Sequence, residues 1–194
     1  MEKTEVFRKE IDLIHDLSLV PDFEVLINSL PDYFFEVEAS TTGKYHPKFA
    51  LGTGGLVRHT KVAVRFGYEL LNDPCIGGKY TAREKDLMLM ALTLHDGLKC
   101  GNPKERYTRA DHPLLVCEHI KNQKDQLKMS EEEVDFICHV ISTHMGPWNT
   151  DYYTKEEILP KPKDKYQNFV HMCDYLASRK FVQVEFDSDN NIIG

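Results

Sequence analysis

Apolar positions along this chain recur mostly at helical spacing, and strand-like alternation is confined to the C-terminus. Val6, Phe7, Ile11, Ile14 and Leu17 form one stripe between Thr4 and Leu19. Pro21-Asp22 predicts the start of a short helix that Pro31 ends. Glu36 to Lys48 reads as irregular, with Ser40-Thr41-Thr42-Gly43 as a loop. Gly52-Thr53-Gly54-Gly55 leads into a helix running to about Leu71, stopped by Asn72-Asp73-Pro74. Thr81 with Glu84 is a capping box that opens a strongly apolar helix through Leu94, broken by Gly97 and Gly101-Asn102-Pro103. His112-Pro113 suits a first turn. Ser130 with Glu133 and Thr154 with Glu157 are two more capping boxes, and a final helix is expected from about Asp164 to Ser178. In the tail, Phe181 to Phe186 alternates apolar and polar. With Asp187 to Asn191 as a turn, it predicts a small hairpin.

These elements predict an all-α helical bundle with a small C-terminal β-hairpin, arranged as one unit over residues 1–194. Residues 1–54 would be N-terminal helices and a loop, 55–178 the helical core, and 179–194 the hairpin. At 194 residues, 41% hydrophobic and 28% charged, the chain can bury about 70% of its unfolded surface without staples. No apolar run approaches the roughly 18 residues of a membrane span, so no membrane partner is expected. The charged start, Met1 to Glu5, predicts no secretory signal. Twenty-four basic against 31 acidic residues gives −7, which argues against a duplex DNA partner. Five cysteines, odd in number and without Cys-x-x-Cys spacing, argue against a disulfide scaffold or a thiolate zinc site and for a cytoplasmic protein.

Nine histidines carry the chemical information. His59 lies early in the helix after Gly54-Gly55. His95 and Asp96 end the apolar helix, and His112 starts the next. His144 shares a face with Ile137 and Ile141, and Asp174 lies on the stripe of Val170 and Ala177. Buried imidazoles and carboxylates on apolar stripes need partners, because an unpaired buried charge costs several kcal/mol. A divalent cation would satisfy all of them together. A nitrogen and oxygen donor set without thiolate suits Mn, Fe, Co, Ni or Zn, with Mg less comfortable.

The order and spacing of these residues resemble the HD-domain metal-dependent phosphohydrolase superfamily. The matching segments are Gly55 to Thr60 with His59, Leu94-His95-Asp96-Gly97-Leu98-Lys99, His112-Pro113-Leu114-Leu115, Thr143-His144 and Cys173-Asp174. The resemblance implies an HD-type bundle in which His59, His95, Asp96 and Asp174 form a minimal single-metal set. His112 and His144 are the extra histidines of two-metal members, and Asp96 would bridge two divalent ions. Those ions would supply a metal-bound hydroxide as nucleophile. Lys99, three residues after Asp96, would neutralise phosphoryl charge. Main-chain N–H groups near Gly54-Gly55 and the side chain of Arg58 are further phosphate-binding candidates. Trp148, four residues after His144, is a candidate wall for a base or sugar. Of the other histidines, His119 and His171 suit support of the ligands or packing, His139 suits a structural role, and His46, in a loop, suits a surface role or could reach the mouth of the site.

The expected function is hydrolysis of a phosphate ester in a nucleotide or short single-stranded nucleic acid. Two alternatives stand beside it: a di-iron oxygenase with a similar ligand set, and a non-catalytic nucleotide sensor on the same fold.

Overall fold

Nine α-helices run through residues 2–193, the part described by the computed structural model. They are α1 (Lys3–Val6), α2 (Arg8–Ile11), α3 (Val20–Ser29), α4 (Gly55–Asn72), α5 (Pro74–Gly77), α6 (Ala82–Leu94), α7 (His112–Asn122), α8 (Glu131–Ile141) and α9 (Lys165–Ala177). Met1, within the charged N-terminal run, and Gly194, the last residue of the expected hairpin, lie outside the described residues.

The expected all-α class holds, and α6 is its centre. Every residue from Asp86 to Leu94 is buried, as a helix apolar all round requires. It packs against α4, α8 and α9, while α7 packs against α8. Two of the three expected capping boxes form: Thr81 with Glu84 starts α6, and Ser130 with Glu133 starts α8. Each satisfies two otherwise orphaned N–H groups. Asp164 caps α9 through the N–H groups of Tyr166 and Gln167.

Three expectations need correction. The Thr4–Leu19 stripe is not one helix. The chain leaves α2 at Asp12, and the N–H groups of His15 and Asp16 turn instead to the buried carboxylate of Asp86, at 3.1 and 2.8 Å. Leu17, counted in the stripe, is 77% exposed. Thr154 and Glu157 cap no helix. Asp151 accepts the N–H groups of Tyr153 and Thr154, and Lys155 adopts a φ of 62°. The segment is closed by a bridge between Thr150 and Glu157 instead.

The C-terminal hairpin is the third. Among the described residues the tail forms no strand, only a single antiparallel bridge between Phe186 and Ile192. The alternation is real, since Val182, Val184 and Phe186 are half-buried and Phe181, Gln183 and Glu185 exposed. Those inward side chains pack on the helical core, not on a partner strand. Period-2 burial needs only an extended chain with one covered face, and here helices cover it. The tail is pinned by Lys61 of α4, fully buried, whose Nζ lies 2.8 Å from Asn191 Oδ1 and 3.5 Å from Glu10 Oε2. Burial pushes Glu10 up and Lys61 down, and their mutual attraction opposes both shifts. No helix among the described residues is long and apolar enough to cross a membrane.

Candidate metal centre

Three helices and two turns deliver the six expected ligands to one point. His59 comes from the second turn of α4. His95 and Asp96 follow the last residue of α6, and His112 is the first residue of α7. His144 sits in the turn after α8, and Asp174 on α9. His59, His95 and His112 are fully buried, and His144 and Asp96 nearly so. Asp174 keeps a small exposed edge.

The two oxygens of Asp96 face different partners. Oδ2 lies 3.5 Å from His95 Nε2 and 3.9 Å from His59 Nε2. Asp174 Oδ1 closes that side, 2.9 Å from His59 Nε2 and 3.5 Å from His95 Nε2. Asp96 Oδ1 lies 2.9 Å from His112 Nε2 and 3.6 Å from His144 Nε2. The arrangement is two half-sites sharing one carboxylate. Two overlapping groups have ligand atoms close enough together for a cation: His59, His95 and Asp174, and His95, Asp96 and His144.

The histidine tautomers are set by the main chain. Nδ1 of His95, His112 and His144 lies 2.7, 2.7 and 2.8 Å from the carbonyl oxygens of Leu92, Arg109 and Ile141, each three residues back. A carbonyl only accepts, so each Nδ1 carries the proton, and a neutral ring then presents a bare Nε2 inward. His95 Nε2 is buried with no hydrogen-bond partner, and Asp96 Oδ1 has only the inward Nε2 atoms of His112 and His144 beside it. Orphaned inward acceptors of this kind are costly unless a cation meets them, so the donor set fits a divalent ion.

Charge in the centre is strongly coupled. Burial opposes ionisation of Asp96, but Lys99, His95, His112 and His144 outweigh it and hold the carboxyl well below the usual range. Burial likewise opposes the charge on Asp174, and His59 and His95 outweigh it. His95 is pushed up to about 10, where Asp96 and Asp174 overcome the burial that disfavours its charge. Burial pulls His144 down to about 4.

Lys99 reaches the same cavity as the ligands. Its Nζ is 2.5 Å from Asp96 Oδ2, and it lines a cavity of about 1040 Å³ together with Asp96, His112, His144 and Asp174. Trp148 lines the same cavity. Arg58 does not. Its guanidinium turns away to the carbonyls of Phe49, Leu51 and Thr53 and to Asn190 Oδ1, fastening the N-terminal loop and the tail to α4. Nor do the N–H groups around Gly54-Gly55 await a phosphate. Those of Gly54, Gly55 and Leu56 donate to the carbonyls of Glu36, Gly52 and Val37. The glycine at 55 answers a steric need: a Cβ there would lie 2.3 Å from Ala50 O.

The remaining histidines divide sharply. His119 meets Ser29 Oγ at 2.9 Å, away from the centre, and His139 pairs with Asp164 near the surface. His171 supports the centre, its Nδ1 donating to His144 O at 2.6 Å. His46 takes the less favoured of its two expected places, at the cavity rather than the surface. Its ring stands edge-on to His59 with centroids 4.9 Å apart, it lines the cavity, and its buried Nδ1 has no partner. Burial, then the neighbouring charges of His59 and Lys99, pull it down to about 3. Its position in an irregular segment gave no periodic signal. Comparisons with protein-family models, with curated proteins and with solved structures found no match to this chain.

Proposed function

We propose that this chain is a metal-dependent phosphohydrolase of the HD type, acting on a phosphate ester of a nucleotide or short single-stranded nucleic acid. The carrying observation is the division of Asp96: one oxygen toward His59, His95 and Asp174, the other toward His112 and His144. A carboxylate placed this way suits two divalent cations, drawn from Mn, Fe, Ni, Co, Zn or Mg. When bound, such cations polarise a phosphoryl oxygen and lower the pKa of a coordinated water toward neutrality.

The protein's own groups supply the rest. The carbonyls of Leu92, Arg109 and Ile141 hold three imidazoles at fixed orientation, so no reorganisation is needed when substrate arrives. Lys99 brings an ammonium against Asp96 at the cavity wall, where it neutralises charge on the phosphoryl oxygens. That placement favours a phosphate ester over the oxygen chemistry of di-iron relatives. Trp148 faces the same cavity and offers a wall for the leaving or retained nucleoside.

The test is a panel of nucleotides and oligonucleotides incubated with Mn-, Ni-, Fe- or Mg-loaded protein. Release of inorganic phosphate or a nucleoside monophosphate is expected. Asp96→Asn should abolish it with an unchanged circular-dichroism spectrum, and unchanged turnover in that variant overturns the reading.

A further inference from the structure

We propose that Trp148, Tyr175 and Arg179 form a nucleobase-stacking subsite beside the metal centre. The ligand is the base of a nucleotide, free or in a single strand. Three planar groups are stacked there. The rings of Trp148 and Tyr175 are 15° from parallel with centroids 5.8 Å apart, and the guanidinium carbon of Arg179 lies 4.0 Å from the Tyr175 centroid. Both aromatics keep open surface, Trp148 at 53% and Tyr175 at 37%. All three groups line the cavity that holds Asp96, Lys99 and Asp174.

The ladder is built onto the ligand scaffold. Tyr175 directly follows Asp174 on α9, and Arg179 comes one turn later. Trp148 leaves the turn that carries His144, with its N–H on Met145 O, and packs beside His171, which donates to the His144 carbonyl. A ligand held at the centre therefore lies next to the first rung.

Charge selects the ligand class. Asp96 and Asp174 face inward toward the cation sites, and the other charged residues lining the cavity are Lys44, Lys99, Arg179 and Lys180. A cationic wall in a chain of net charge −7 calls for an anion. A nucleotide is an anion that also presents a flat π-face, and stacking on aromatic rings tolerates any base. At about 1040 Å³ the cavity exceeds the roughly 300–1,000 Å³ that encloses a drug-sized ligand, leaving room for a phosphate and a base together.

The inference rests on the phosphohydrolase reading only for where the phosphate lies. Trp148 is the single tryptophan of the chain, so its fluorescence reports this subsite alone. Mn-loaded protein is titrated with a short phosphorothioate single strand, with its abasic counterpart and with AMP. Base-bearing ligand should quench Trp148. The strand should bind roughly 5- to 150-fold tighter than the abasic one, as one stacked base implies. Quenching by AMP as tight as by the strand identifies the free nucleotide as the source of the base. Trp148→Ala should lose the preference and Trp148→Phe should keep part of it. Equal affinity for the abasic strand, or no quenching by any base, overturns the proposal. Base preference without hydrolysis of any ester leaves the subsite standing and removes the phosphohydrolase reading, and hydrolysis without base preference does the reverse.

Discussion

Nε2 of His112 and Nε2 of His144 lie 3.2 Å apart, and the Nδ1 of each ring is turned to a main-chain carbonyl. When both rings are neutral this leaves two bare Nε2 atoms side by side in a buried position, an arrangement that a cation between them would satisfy. The packing of α7 on α8 holds the two rings at this approach.

Metal binding should accordingly stabilise the fold. At a concentration one hundred times Kd, a cation that binds only the folded chain contributes about 2.7 kcal/mol. For a chain of 194 residues that corresponds to a rise in Tm of roughly 5–10 °C. Differential scanning fluorimetry with Mn against chelator measures it. Asp174→Ala should lose most of the shift, and an equal shift in that variant would place the cation elsewhere.

Lys99→Met should separate catalysis from metal binding. The ammonium touches Asp96 from the cavity side and donates to no other ligand. Loss of one charge-stabilising group of this kind lowers kcat by about 10²–10³. Metal content by elemental analysis should stay near that of the parent protein. A variant that loses both metal and activity would make Lys99 a support of Asp96 instead.

Gly146→Ala should act at a distance from every ligand atom. Gly146 has a φ of +58°, and a Cβ there would lie 2.2 Å from Cε1 of His171, in a ring that braces the His144 carbonyl. Left-handed strain and the displaced ring should together cost about 2 kcal/mol or more. Metal affinity should fall with it, and the damage should enter through His144 rather than through His59 and Asp174. Unchanged Tm and metal affinity would refute the brace.

Acid should weaken the cap of α9. Burial opposes the charge on Asp164, but the N–H of Gln167, the ring of His139 and the N–H of Tyr166 outweigh it and hold the carboxyl below its usual value. A depressed carboxyl contributes stability above the unfolded value of about 3.9 and loses it as pH falls through the folded one. Asp164→Asn keeps the cap and removes the charge, so it should be less stable than the parent at neutral pH by roughly 0.3–1 kcal/mol. The difference should vanish in acid. A difference that persists below the carboxylate range would contradict the assignment.

Much of the helical layout was legible along the chain. The capping boxes at Thr81 and Ser130, the apolar run to Leu94 and the proline after His112 each report a local cost or gain that the surrounding residues decide alone. The boxes also show where this fails. Thr154 and Glu157 have the same spacing, but Asp151 offers the nearby N–H groups a closer acceptor, and no helix follows.

What the sequence by itself determined is which residue types ride on which helices: His59, His95, Asp96, His112, His144 and Asp174 in that order, with Lys99 a turn after the aspartate. What only the tertiary structure decided is convergence and direction. It divided the two oxygens of Asp96, turned Arg58 to the tail, closed the N–H groups of Gly54 and Gly55 on nearby carbonyls, and brought His46 against His59. Periodicity records whether a side chain is buried, because burial follows from one helix face. Which atom meets which across more than one hundred residues follows from how α4, α6, α7, α8 and α9 pack together, and no local pattern encodes that distance.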